Sequence, residues 1–134
     1  MAVLYSIYRD KREDSNHFYY GRSVVLNTVN TQDLAKRVQA NCSMKYSDVI
    51  AVIAELVEVM GIELQNSNAV HLDGFGTFKI GLNTTGAPTA KEFTADNVKR
   101  CKIKFLPEGK KSLATKKMVR TFLDNVKLKK FGEE

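Results

Sequence analysis

The chain has no tryptophan, two prolines, two cysteines and two histidines among its 134 residues. Each scarcity removes a class of protein. Cys42 and Cys101 form no Cys-x-x-Cys pair, and only His17 and His71 are available to join them. A structural zinc site needs about four ligands at short spacing, so no metal site is expected. A disulfide between Cys42 and Cys101 is one alternative. Two reduced, half-buried thiols are the other, and they suit a cytoplasmic chain better. No apolar run reaches the roughly 18 residues that a membrane span requires. The N-terminus, MAVLYSIYRDKRE, lacks the basic start and apolar block of a secretory signal. The expected location is therefore cytoplasmic. No GxxxxGK[ST] phosphate loop occurs, and no nucleophile stands beside a base, so neither an enzyme nor a cofactor is expected. His71 and Asp73 share one face at strand spacing and can form an acid–base pair; a surface or dimer-face hydrogen bond is the plainer reading.

What the chain does have is unevenly placed charge. The net charge is +6. Residues 1–90 hold 8 Lys and Arg against 9 Asp and Glu, whereas residues 91–134 hold 13 against 6. The entire excess lies in the last third. Such asymmetry points to a polyanionic partner, most simply nucleic acid, with a solvated lysine-rich surface as the alternative. The length suits one domain with a real core, and 43% hydrophobic and 27% charged residues are ordinary for a globular chain.

Taken in order, VLYSIY (3–8) and HFYYGRSVV (17–25) read as strands joined by a polar loop. Tyr5, Tyr8, Tyr19 and Tyr20 can stack on bases, or simply cover a sheet face. A short helix begins with Thr31 as N-cap and Asp33 in its first turn, and ends near Asn41. A second helix covers roughly 46–64. Its apolar residues, including Ile53, Leu56, Val57 and Met60, cover far more than one stripe. In so small a domain a second subunit is the simplest cover for them.

HLDGFGTFKI (71–80) reads as a strand with Val70, Leu72, Phe78 and Ile80 on one face. Phe75, between Gly74 and Gly76, falls on the other. Either a bulge resets the phase there, or both faces are buried. GLNTTGAP (81–88) is turn-rich, and TAKEFTADNVK (89–99) is either the return half of a ribbon or a helical turn with Phe93 tucked inward. RCKIKFLP (100–107) is the clearest strand. Cys101, Ile103 and Phe105 face one way; Arg100, Lys102 and Lys104 face the other, about 6.6 Å apart. That repeat is close to the spacing of phosphates along a nucleic-acid strand. After Pro107, EGKKSLATKKMVRTFLDNV has helical spacing, with Leu113, Met118 or Val119, and Phe122 inward. Lys110 and Lys111 then lie near a helix start, where phosphate is favoured. VKLKKF (126–131) suits a last strand paired with the N-terminal hairpin.

This order of parts resembles the HU and integration-host-factor family of bacterial histone-like DNA-binding proteins, in a longer branch with extra β-structure at both ends. GFGTF (74–78) matches the family's G-F-G-x-F. FLPEGK (105–110) resembles its F-x-P-G-K with Glu108 inserted. The resemblance covers about residues 29–115. It implies an α+β fold and an HU/IHF-like intertwined homodimer, with the helix pair at the base, an antiparallel sheet with an arm-like excursion, and an extra N-terminal hairpin. The whole, 1–134, is then a single HU-like domain with an N-terminal β extension (1–28), a core (29–115) whose arm lies at about 81–98, and a C-terminal extension (116–134). Phe75, Phe78 and Phe105 are expected in the shared core with Ile53, Leu56, Val57 and Met60. The implied function is architectural: a dimer in the nucleoid that binds double-stranded DNA through phosphates, with low sequence specificity, and bends it where a proline wedges between base steps.

The arm departs from that pattern. Residues 81–98 hold one lysine, Lys91, against Glu92 and Asp96. Pro88 is the one candidate wedge, and a plain turn residue is the alternative. Leu106 replaces the family's lysine between phenylalanine and proline. Phosphate contact then falls to Lys79, Lys99, Arg100, Lys102, Lys104, Lys110 and Lys111. A dimeric scaffold or protein-interaction module that keeps the fold and has lost DNA is the competing expectation.

Overall fold

Aromatic and β-branched residues at the N-terminus pair as their composition suggests. In the computed structural model, which describes residues 1–133, β1 (Val3–Arg9) and β2 (Tyr19–Val24) form an antiparallel hairpin. Its polar connection is tied by Asp10, whose carboxylate accepts from the Arg12 backbone N–H (3.1 Å) and from the Arg12 guanidinium (2.7 Å). These bonds hold the Asp10 carboxyl below the usual carboxylate range.

Two helices follow, α1 (Thr31–Asn41) and α2 (Tyr46–Gln65). The first starts one residue earlier than Thr31 suggests. Asn30 is its N-cap, and the Asn30 N–H donates to Asp33 Oδ2 at 3.1 Å. Ala35 of α1 and Val49 of α2 are the fully covered apolar residues among those described. Leu56 and Val57 stay exposed along α2, while Ile53 and Met60 are half-buried. No helix among the described residues is long and apolar enough to cross a membrane.

The 71–80 stretch is a hairpin, which corrects its reading as one strand. β3 (Val70–Leu72) turns at Asp73–Phe75 into β4 (Gly76–Thr84), and β5 (Val98–Pro107) lies antiparallel on the other side of β4. Gly74, at φ 74°, takes the left-handed position of the turn, and the Phe75 N–H closes it on the Leu72 carbonyl at 3.0 Å. The connection has three residues. Even positions therefore stay opposite even positions, Val70 facing Phe78 and Leu72 facing Gly76. This is why Val70, Leu72, Phe78 and Ile80 share a face although the chain reverses between them. Gly76 is a close approach: a Cβ there would stand 2.4 Å from the Leu106 carbonyl.

The segment after Pro107 is not helical. It forms β6 (Gly109–Lys111) and β7 (Met118–Arg120), a further hairpin, followed by a short 3-10 turn at Thr121–Leu123. The helical spacing of Leu113 and Phe122 fails because no apolar surface receives Leu113, which is fully exposed. Ser112 instead bonds across the loop, its N–H to the Lys117 carbonyl at 2.8 Å. Phe122 still reaches the aromatic cluster, 5.4 Å from Phe75 centre to centre. The last strand, β8 (Leu128–Lys130), runs parallel to β1 and completes a three-stranded sheet in the order β2-β1-β8. Cys42 and Cys101 are free thiols, and both are exposed rather than half-buried.

Glu108 joins the two sequence motifs. Its carboxylate accepts from the Gly74 N–H, its own N–H donates to the Phe75 carbonyl at 3.1 Å, and its carbonyl accepts from Thr121 at 2.8 Å. The residue that interrupts the F-x-P-G-K pattern thus clamps the GFG turn. Glu108→Ala is expected to lower stability by about 1–2 kcal/mol, the scale of one hydrogen bond to a charged group. A urea titration checks this, and an unchanged midpoint would show that the clamp contributes nothing.

The exposed surface is large. The chain has 11636 Å² of accessible surface. A folded monomer of 15.1 kDa is expected to show about 7,100 Å². No large side chain among the described residues is fully buried.

Candidate functional site

The ribbon of β4 and β5 has two chemically distinct faces. Strand alternation puts Phe78 opposite Phe105, Ile80 opposite Ile103 and Leu82 opposite Cys101 on one of them. Phe78 and Phe105 stack at 4.7 Å, and Phe75 meets Phe78 at 5.7 Å and Phe105 at 5.6 Å. The structure therefore gathers the three phenylalanines singled out from the sequence into one cluster. It does not cover them: Phe75 and Phe105 are each 42% exposed.

The other face is cationic. Lys79 stands opposite Lys104, Gly81 opposite Lys102, and Asn83 opposite Arg100. Neither strand contains an acidic residue. Directly opposed lysines repel across a sheet, so the Lys79–Lys104 pair carries an electrostatic cost that a bound anion would relieve. The absent side chain of Gly81 makes room for the Lys104 stem, which crosses it. Thr77, Lys79 and Lys104 help line a concavity of about 370 Å³ on this ribbon.

The ladder slips between Asn83 and Thr84. Asn83 pairs with Arg100 but Thr84 pairs with Val98, which leaves Lys99 as the extra residue of a bulge. Pairing stops there. The rest of the 81–98 excursion is a loop folded on itself, not an extended two-stranded arm. The Thr85 N–H donates to the Asn97 carbonyl at 2.8 Å, and the Asn97 side chain donates to Thr85 Oγ1 at 3.1 Å. Pro88 and Lys91 are exposed within this loop, and a 3-10 turn covers Ala95–Asn97. Phe93 is 42% exposed and not tucked inward.

Lys110 and Lys111 lie on β6, so no helix N-terminus stands beside them. They border a surface cleft of about 290 Å³ with Ser112, Arg120 and Thr121. Arg120 was not foreseen. Its Nη1 donates to the Pro107 carbonyl at 2.9 Å, which fixes the guanidinium beside the end of β5. The helical reading of 108–126 hid it; alternation around Val119 is the signal that would have placed it. His71 is exposed on β3 opposite Thr77, 3.4 Å from Asp73 and 2.9 Å from Thr77 Oγ1, in a surface polar cluster.

The family model described as HU-HIG, "HU domain fused to wHTH, Ig, or Glycine-rich motif", matches residues 1–122. No curated protein matches the chain. Among solved structures, the fold is similar to a "Putative bacterial DNA binding protein" from Bacteroides vulgatus ATCC 8482, with a TM-score of 0.65 at 10% identity. That alignment covers 99% of this chain and 50% of the other, so the chain spans half the length of that protein.

Proposed function

The chain belongs to the HU-HIG family, and on that premise we propose that it is a non-enzymatic architectural protein that binds double-stranded DNA as a homodimer. The observation that carries the reading is the two-faced ribbon. Its aromatic face, with Ile53, Leu56, Val57 and Met60 of α2, supplies an intertwined core with Phe75, Phe78 and Phe105 of each chain. The surplus is about 4,500 Å² per chain, about 9,000 Å² for two, so burial of the roughly 2,000–5,000 Å² total of an obligate dimer would account for a good part of it. Its cationic face then presents Lys79, Arg100, Lys102 and Lys104 from both chains to one duplex. Lys99 at the bulge and Lys110 and Lys111 beside the β6 cleft extend the phosphate track. Backbone contacts of this kind carry little sequence information, so specificity is low. In this reading Pro88, exposed in the loop beyond the ribbon, is the wedge that bends the duplex, and Lys91 in the same loop contacts phosphate. The expected site of action is the bacterial nucleoid.

A scaffold role in place of DNA binding has one observation in its favour. The loop at 85–97 is closed at its base by the Thr85–Asn97 bonds instead of extending as a two-stranded arm, and it contains one lysine, Lys91, and two acidic residues, Glu92 and Asp96. Fluorescence anisotropy on a mixed-sequence duplex separates the two. DNA binding through six or more phosphates loses about a thousandfold in affinity between roughly 50 and 200 mM salt. Absence of binding at the lower salt would remove DNA and leave the scaffold.

A further inference from the structure

The N-terminal sheet holds a group of side chains that duplex binding does not use. Register places Tyr8 opposite Tyr20, and Ser6 opposite Arg22, on one face of β1 and β2. Tyr8 and Tyr20 are each 42% exposed as residues, with ring centroids 6.1 Å apart and planes tilted by 37°. The Arg22 guanidinium lies over the Tyr8 ring at 5.5 Å, and Arg22 Nε donates to Ser6 Oγ at 3.4 Å. On β8, Lys129 stands beside Leu4 on the same face. The three strands contain no acidic residue. Arg22 and Lys129 are the cations of this face, whereas register turns Arg9 and Lys130 to the other, and Lys130 is paired with Glu133.

We propose that this face is a stacking platform for unpaired bases of a single-stranded nucleic acid, distinct from the ribbon that meets the duplex. Two neighbouring aromatic faces want flat, apolar partners, and the cations beside them want a polyanion. A single strand offers both at once. A duplex keeps its base faces covered and can satisfy only the cations. A neutral protein surface can cover the rings but leaves Arg22 and Lys129 without an anionic partner. Arg22 takes a double role: it stacks on Tyr8, and it sits where a phosphate joining two stacked bases would pass. The tyrosines supply affinity without reading sequence, because every base has a π-face.

The test uses the full chain and a labelled oligothymidylate of about 16 nucleotides, within the span of known single-strand sites. Anisotropy titrations are run beside a duplex of equal length. Tyr8→Leu combined with Tyr20→Leu keeps the sheet apolar and removes the rings. It should weaken oligothymidylate binding about a hundredfold, roughly tenfold for each lost stack, while Tyr8→Phe with Tyr20→Phe stays within about twofold. Duplex affinity should be unchanged in both. Charge reversal at Lys102 and Lys104 should do the converse. Arg22→Gln leaves both rings in place and gives an independent arm, with an expected loss of about tenfold. The proposal is overturned if the wild type does not bind the oligonucleotide. It is equally overturned if the leucine pair or Arg22→Gln binds it as the wild type does, or if the leucine pair changes only the oligomeric mass. None of these outcomes depends on whether the ribbon binds duplex.

Discussion

Val57→Asp should leave the chain unable to fold cooperatively at micromolar concentration. In the single chain Val57 is 65% exposed. A substitution at so open a helix position ordinarily changes stability by no more than about 0.5 kcal/mol, plus a similar sum for helix propensity. In the proposed dimer the same position lies between two chains. There the new carboxylate is desolvated without a partner, at several kcal/mol, and symmetry applies the cost twice. Against a typical stability of about 5–15 kcal/mol, that suffices to unfold the protein. Circular dichroism melts of the wild type at two protein concentrations supply the control. The wild-type midpoint should rise with concentration, because association is part of folding. Val57→Asp should show no cooperative melt. If it melts like the wild type, α2 faces solvent and the shared core is wrong.

The same face explains why so much of the fold could be read from the sequence. The second helix was legible because Val49 to Met60 form a long apolar block with helical length and a clear polar end at Gln65. The ribbon was legible because alternation in RCKIKFLP needs no partner to be seen. Parity also survived the hidden turn at Asp73–Phe75, since a three-residue connection preserves it. The turn itself is not legible, because two glycines inside an alternating stretch read equally well as strand irregularities. What separates them is conformation: Gly74 makes the reversal, while Gly76 admits the Leu106 carbonyl. The β6–β7 hairpin was missed for a different reason. Leu113, Val119 and Phe122 have helical spacing, but a helix needs a surface to bury that stripe, and the sequence does not say whether one exists. Of the site, the cations of β5 and their shared face were legible. The pairing of Lys79 with Lys104 and the clamp at Glu108 were not, because both arise between segments about 25 or more residues apart, and register across a ladder is a tertiary property.

The Lys79–Lys104 pairing gives the ribbon hypothesis its sharpest test, because it sets stability and binding against each other. Lys79→Glu alone replaces a cross-strand repulsion with an attraction and should raise stability by about 0.5 kcal/mol. The same change should weaken duplex binding, since it puts a carboxylate where a phosphate is to lie. A protein that becomes firmer while it binds less cannot be losing affinity through unfolding. Reversing Lys79, Lys102 and Lys104 together restores like charges across the pair, so stability should return close to that of the wild type. Six phosphate contacts per dimer are then lost. The slope of log affinity against log salt should become shallower by about 5, and affinity at about 100 mM salt should fall at least a thousandfold. Anisotropy at four or five salt concentrations reads both quantities. A triple variant that keeps the wild-type slope would mean that the phosphates are held elsewhere, and the cleft bordered by Lys110, Lys111 and Arg120 would be the first place to look.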